Sequence, residues 1–149
     1  MSKHSVFICL LFFSLTSLVA QNIEKLKLVD NEIPKEYTLT ENDNAFSIQA
    51  RLFYKNPDMY SMIIGKVKNK EVQNFQSSND SGSIMYFEFE ENFTVESFLK
   101  GLLWGQSKKP TNDHPEEFFV KGNLLIIWSF TKNSALKLLS KNKIESLLK

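Results

Sequence analysis

Cys9 is the only cysteine in the chain, and it lies inside an apolar run at the very start. Everything after it has to fold without a disulfide, held by buried apolar surface alone. The run is Val6-Phe7-Ile8-Cys9-Leu10-Leu11-Phe12-Phe13, continued by Leu15, Leu18, Val19 and Ala20. Lys3 and His4 precede it, and the character changes abruptly at Gln21-Asn22-Ile23-Glu24-Lys25. A positive start, an apolar middle and a small exit residue read as a secretory signal peptide, residues 1–20, cleaved after Ala20. Ser14, Thr16 and Ser17 interrupt the run, which is also shorter than the roughly 20 apolar residues of a spanning helix. An uncleaved anchor is therefore the lesser reading, although Leu18 is bulky for its place before the cut. Acylation at Cys9 is discounted, because the stretch before it is too short to insert first.

Loss of the leader changes the balance of charge. Of the 18 basic residues Lys3 is the only one in the leader, which leaves 17 to face 17 acidic residues. A neutral body has no long-range field to draw it to nucleic acid or to an anionic membrane. What remains, residues 21–149, is the length of one ordinary domain, and its many Phe side chains give it bulky core material. Abundant Lys and Asn with a single arginine, Arg51, suggest an AT-rich and bacterial gene. The expected location is periplasmic or secreted, with no integral membrane segment after cleavage.

Along the body the second half is the more legible. Ser83 to Glu90 alternates as a strand, with Met85, Phe87 and Phe89 on one side and Tyr86, Glu88 and Glu90 on the other. Thr94 is the expected cap of a helix with Glu96 in its first turn and a buried stripe of Val95, Phe98, Leu99, Leu102 and Leu103. Gly105 stands where a left-handed C-terminal residue is wanted. Gln106 to Pro115 reads as a long polar loop. Strands at Glu117–Val120 and Leu124–Phe130 flank Lys121-Gly122-Asn123, a tight-turn signal. Leu124–Phe130 is apolar on both faces, which predicts an interior strand covered on each side. A last helix follows Asn133, with Leu136, Leu139, Ile144 and Leu147 as its stripe. Two strand-turn-helix units, each strand ending in a pair of aromatics (Phe87 and Phe89; Trp128 and Phe130), resemble a repeat, but chance explains so short a match.

The first half is less clear. Ile23, Leu26, Leu28 and Val29 suit a short strand or a helical turn. Ala45 to Tyr54 alternates in a way that favours a strand and also permits a helix capped by Asn44. Asn56-Pro57-Asp58 looks like a helix start, with Met59, Tyr60, Ile63, Ile64 and Val67 at helical spacing. The expected architecture is α+β: a mainly antiparallel sheet of four to five strands with helices packed on one face.

Few residues suggest chemistry. The body has one histidine, His114, in Thr111-Asn112-Asp113-His114-Pro115-Glu116-Glu117. Its titration suits a general base, yet a solvated loop residue beside a proline is the commoner outcome. A lone histidine without cysteine makes no metal site, and none is expected. There is no nucleophile elbow, phosphate-binding glycine loop or His-Glu-x-x-His helix, and no cofactor is expected. Glu88 and Glu90, with Tyr86 beside them, and Glu116 with Glu117 are the carboxylates that a hydrolase could pair, one of them in an apolar setting. The plainer reading makes Glu88 and Glu90 the wet side of a half-buried strand. Trp104, closing its helix before the long loop, could stack with Tyr86 on a sugar or peptide, or simply close the core. Lys132, Lys137, Lys141, Lys143 and Lys149 against Glu145 make the last helix basic, which dipole complementation explains as well as a lipid surface does. Asn79-Asp80-Ser81 and Asn92-Phe93-Thr94 fit the glycosylation pattern, which matters only in a eukaryote.

The leading expectation is a small exported, non-catalytic binding module. Its partner would be an unknown protein or envelope component, met through Trp104, Tyr86, His114 and the Gln106–Pro115 loop, with no role for nucleic acid. The alternative is a small secreted hydrolase using Glu88 and Glu90 with Glu116 and His114.

Overall fold

In the computed structural model, residues 23–149 are described; the expected leader and Cys9 lie outside them. Five strands form one antiparallel sheet in the order β1-β2-β3-β5-β4: β1 Thr38–Thr40, β2 Val67–Gln76, β3 Ser81–Phe89, β4 Glu117–Lys121 and β5 Leu124–Phe130. Beyond a helical turn at residues 23–26, the helices are α1 Ile48–Lys55, the single turn α2 Ser61–Ile64, α3 Glu96–Trp104 and α4 Ala135–Leu148, with 3-10 turns at Pro57–Tyr60 and Gly105–Ser107. The α+β class with a mainly antiparallel sheet follows directly from this arrangement.

Cover extends to both faces of the sheet, beyond the one face expected. On one face Met85, Phe87, Phe89, Leu125 and Ile127 pack against Ala50 and Phe53 of α1 and Leu99, Leu103 and Trp104 of α3. On the other, Ile84, Tyr86, Ile126, Trp128 and Phe130 pack against Leu136 and Ile144 of α4 and against Ile23, Leu26 and Leu28 of the N-terminal segment. The reason is β5 itself. All seven of its residues are buried, so an apolar strand between β3 and β4 needs a layer on each side. The two strand-turn-helix units send their helices to opposite faces, and their aromatic pairs follow. Phe87 and Phe89 belong to one core, Trp128 and Phe130 to the other.

The first half departs from the sequence reading. Residues 45–54, expected to favour a strand, end in helix α1; its cap is Ser47, whose Oγ accepts from the Ala50 N–H at 3.1 Å, and not Asn44. The expected long helix after Asn56 is cut short by Gly65, whose φ of 84° only glycine adopts freely. Val67 then opens β2 instead of ending that helix. Of the residues at helical spacing, Met59 and Ile63 are exposed and Ile64 is buried. Helix α3 begins at Glu96 without a side-chain cap, so Thr94 does not serve as one. Gly105 closes α3 with a positive φ of 58°, as a glycine permits, but its ψ of −127° lies outside the expected left-handed helical conformation. Lys121 pairs with Leu124 across a two-residue turn whose first member, Gly122, has φ 59°. On α4 Leu136 and Ile144 are buried while Leu147 is exposed.

Candidate functional site

Glu116 is the most enclosed carboxylate of the structure. It lies just before β4, where Pro115 is also buried, and its side chain reaches toward β5. Its Oε1 accepts from the Ser47 N–H at 3.1 Å and from the Ser129 hydroxyl at 2.8 Å, and Ser129 Oγ in turn accepts from the Phe46 N–H at 2.7 Å. The Glu116 carbonyl accepts from the Trp104 indole N–H at 2.8 Å. One glutamate thereby satisfies the Ser47 N–H, orients the Ser129 hydroxyl that satisfies the Phe46 N–H, and ties the start of α1 to the sheet. Its Oε2 is buried without a protein partner, and no ion pair involves it among the described residues. The arrangement is a fastening of three segments.

Glu88 sits elsewhere. Its Oε2 accepts from Asn69 Nδ2 at 2.9 Å, and Lys68 Nζ stands 3.9 Å from Oε1. Only 3% of Glu88 is exposed, so it is not part of a wet strand face. Glu90, beyond the end of β3, is exposed. Glu88 pairs with Leu124 on β5, whereas Glu116 bonds Ser129. Five residues of strand separate those positions, about 17 Å at roughly 3.4 Å per residue. The two carboxylates also belong to opposite faces, since Glu88 alternates with Tyr86 on one and Ser129 points to the other. His114 lies in the loop with its Nδ1 buried and unpartnered; its backbone holds Thr111 through the Thr111 N–H to the His114 carbonyl and the His114 N–H to Thr111 Oγ1. No hydrogen bond among the described residues joins its ring to a carboxylate. The groups that the hydrolase reading requires are thus not brought together.

Nor do Tyr86 and Trp104 share a surface. Tyr86 is 1% exposed on the α4 face, where its hydroxyl donates to Gln73 Oε1 at 2.9 Å and burial pushes its phenol well above the ordinary range. Trp104 is 9% exposed on the other face and stacks on Phe118 with ring centres 5.6 Å apart. Both are core residues. Tyr86 falls on what the alternation marks as the polar side of β3 because the N-terminal segment and α4 cover that side.

What the surface does offer is a groove and an apolar segment. The groove, of about 470 Å³, is lined by Glu117, Lys132, Ser134, Lys137, Leu138 and Lys141. Lys137 Nζ, almost wholly buried, donates to Glu117 Oε1 at 2.9 Å and to the Lys132 carbonyl at 2.8 Å; Lys141 donates to Glu117 Oε2. Partial burial raises the Glu117 carboxyl, but the hydrogen bonds from Lys141 and Lys137 outweigh it and hold the group below the usual carboxylate range. Lys137 and Lys141 are thus engaged within the fold.

The apolar segment is residues 48–63. Ile48 and Leu52 stand one turn apart on the outer side of α1. Met59, Ile63 and the fully exposed Met62 project from the turns that follow. Two methionines with branched aliphatic neighbours make an adaptable apolar surface. The helical spacing that the sequence shows here signals a core-facing stripe, which is why the segment passes unnoticed as a surface.

Among the described residues no three His, Cys, Asp or Glu side chains gather to hold a metal, and no helix is long and apolar enough to cross a membrane. Compared with protein families, curated proteins and solved structures, the chain matches none.

Proposed function

We propose that this protein is an exported, non-catalytic binding protein whose partner, a protein of the envelope or the medium, docks on residues 48–63. The observation that carries the proposal is the exposure of Ile48, Leu52, Met59, Met62 and Ile63 within one short segment, while the buried half of the same segment (Ala50, Phe53 and Ile64) is anchored in the core. Large apolar side chains cost solubility when left in water, and an adaptable group of them on a segment anchored in the core suits a protein partner. Export follows from the leader. The ionisable groups that would serve a hydrolase instead fasten α1 or lie singly, and they favour binding over catalysis.

The test places a photoreactive residue at Met62 in the native host. A single covalent adduct is expected, absent when Leu52→Glu or Met59→Glu is added. No adduct in either the exported or the retained fraction overturns the docking reading. Mass spectrometry of the natural product should give a chain beginning at Gln21, and an intact Met1 would remove the premise of export.

A further inference from the structure

The sheet has two edges, one formed by β1 and the stretch of β2 that β1 leaves unpaired and the other by β4, and they are treated differently. Along β2 the outer side pairs with β1 only at Asn74, Phe75 and Gln76. The rest of that edge carries a bulge at Lys68, between Val67 and Asn69, and then Asn69, Lys70 and Glu71. Lysines and bulges are the features by which natural sheets keep an open edge from pairing. β4, at the far edge, has no bulge, and its one lysine, Lys121, is the last residue of the strand. Its residues are Glu117-Phe118-Phe119-Val120-Lys121, regular in register with β5 throughout, without proline, and half-buried from Glu117 to Val120. No backbone hydrogen bond reaches β4 from any described segment except β5. Phe118 and Val120 lean on one core and Phe119 on the other, and all three are only partly buried.

We infer that β4 is a dimerisation edge, and that its occupant is β4 of a second copy running antiparallel about a two-fold axis at Phe119. The segment is complementary to itself in that direction. Phe119 faces its own copy, and Phe118 faces Val120 of the other chain on both sides of the axis. Aromatic and β-branched pairs are the favourable cross-strand neighbours. Glu117 comes opposite Lys121 of the other copy; a parallel pairing would put acid against acid and lysine against lysine. Because Lys137 and Lys141 already engage Glu117, its attraction for a third lysine is small and sets direction more than affinity. Pairing closes about four to six main-chain hydrogen bonds, according to which alternate residues face outward. The product is a continuous ten-stranded sheet with an isologous interface, the commonest symmetry of homo-oligomers. Its buried surface falls below about 1,200 Å², the class of weak, reversible association. It is separate from the docking reading for residues 48–63, since Phe53 and Tyr54 of α1 pack against Phe87 of β3 and Lys70 of β2.

Sedimentation of the purified chain over about a hundredfold range of concentration tests this, because dimerisation follows mass action. A reversible monomer–dimer equilibrium is expected, with the outward amides of residues 117–121 exchanging more slowly as concentration rises. Phe119→Lys sets two cations together on the axis and should raise the dissociation constant at least about tenfold, whereas Phe119→Leu keeps the dimer. If Phe119→Lys fails to fold, amide exchange in the unaltered chain decides alone. A monomer at every concentration overturns the inference. So does a dimer whose protected amides lie in residues 67–73 or 48–63, or edge protection at 117–121 that depends on an added peptide and not on concentration. Met62→Glu, which removes the docking surface, should leave the equilibrium unchanged.

Discussion

Gln73 holds Leu28 by both of its main-chain polar groups: its Oε1 accepts the Leu28 N–H at 2.9 Å, and its Nε2 donates to the Leu28 carbonyl at 2.8 Å. The same Oε1 accepts the Tyr86 hydroxyl. One buried side chain on β2 thus stitches the N-terminal segment to the sheet as a neighbouring strand would, and completes the cover over Tyr86. Substitution Gln73→Leu leaves three buried polar groups unpaired. A loss of about 2–4 kcal/mol in urea unfolding is expected, since each orphaned group costs roughly 1–3 kcal/mol and water recovers part of it. The Leu28 amide should lose its exchange protection in the same variant. Retention of that protection would show that Gln73 is not the clamp.

That stitch explains a good part of what the sequence leaves illegible. Period and turn chemistry are enough for β3, β4, β5, α3 and α4, because each carries an apolar pattern long enough to reveal its period. β2 escapes because Val-Lys-Asn-Lys-Glu-Val-Gln-Asn-Phe-Gln is polar over most of its length and its alternation is interrupted by the bulge at Lys68. β1 is too short to show any pattern. Residues 45–54 mislead because Phe46, Ile48 and Leu52, which suggest alternation, are surface residues, and only Ala50 and Phe53 are buried in the helix. The candidate sites fail for a tertiary reason. Tyr86 looks solvent-facing beside Glu90 until a segment more than forty residues earlier in the chain, around Leu28, is laid over it, and Glu88 looks so until Asn69 and Lys68 of β2 close on its carboxylate.

Glu116 distinguishes a structural from a catalytic carboxylate. Glu116→Ala strands the Ser47 N–H and the Ser129 hydroxyl in the interior and should cost about 2–4 kcal/mol. Glu116→Gln retains an amide oxygen in the place of Oε1 and should lose less than half as much. Thermal unfolding of the three proteins checks the order. Equal losses for the two variants would mean that charge, and not the acceptor, is what Glu116 supplies.

Gly82 pairs with Phe130 across β3 and β5. A Cβ there would lie 2.5 Å from the Ser129 carbonyl oxygen and would collide with the Phe130 ring. Backbone and a fully buried ring cannot both retreat in a packed interior. Gly82→Ala should therefore destabilise by about 3 kcal/mol, the upper range of overpacking. Gly101→Ala is the control, because a Cβ on that exposed helical residue meets nothing within 4 Å. It should stabilise α3 by roughly 0.5–1 kcal/mol. Urea midpoints of the two variants should move in opposite directions, and a common direction would refute the packing account.

The response to acid should be governed in part by Glu117. Burial raises its carboxyl, Lys141 and Lys137 lower it further, and the net shift is downward. A group whose pKa is depressed in the folded state binds protons less readily than in the unfolded chain, so it stabilises the fold wherever it is ionised in both. That contribution is complete above the ordinary carboxylate value, about pH 4.3, and disappears as pH falls through the lower folded value. Glu32 acts in the same sense: its carboxyl, bonded by Lys143 and by the Val29 N–H, is also lowered and ties α4 to the N-terminal segment. Unfolding free energy measured from pH 7 to pH 2 should be flat at first and then fall through that acid window. Glu117→Gln should show a lower plateau at neutral pH and a shallower fall, converging on the unaltered protein at the acid end. Parallel curves for the two proteins would remove Glu117 from the account of acid unfolding.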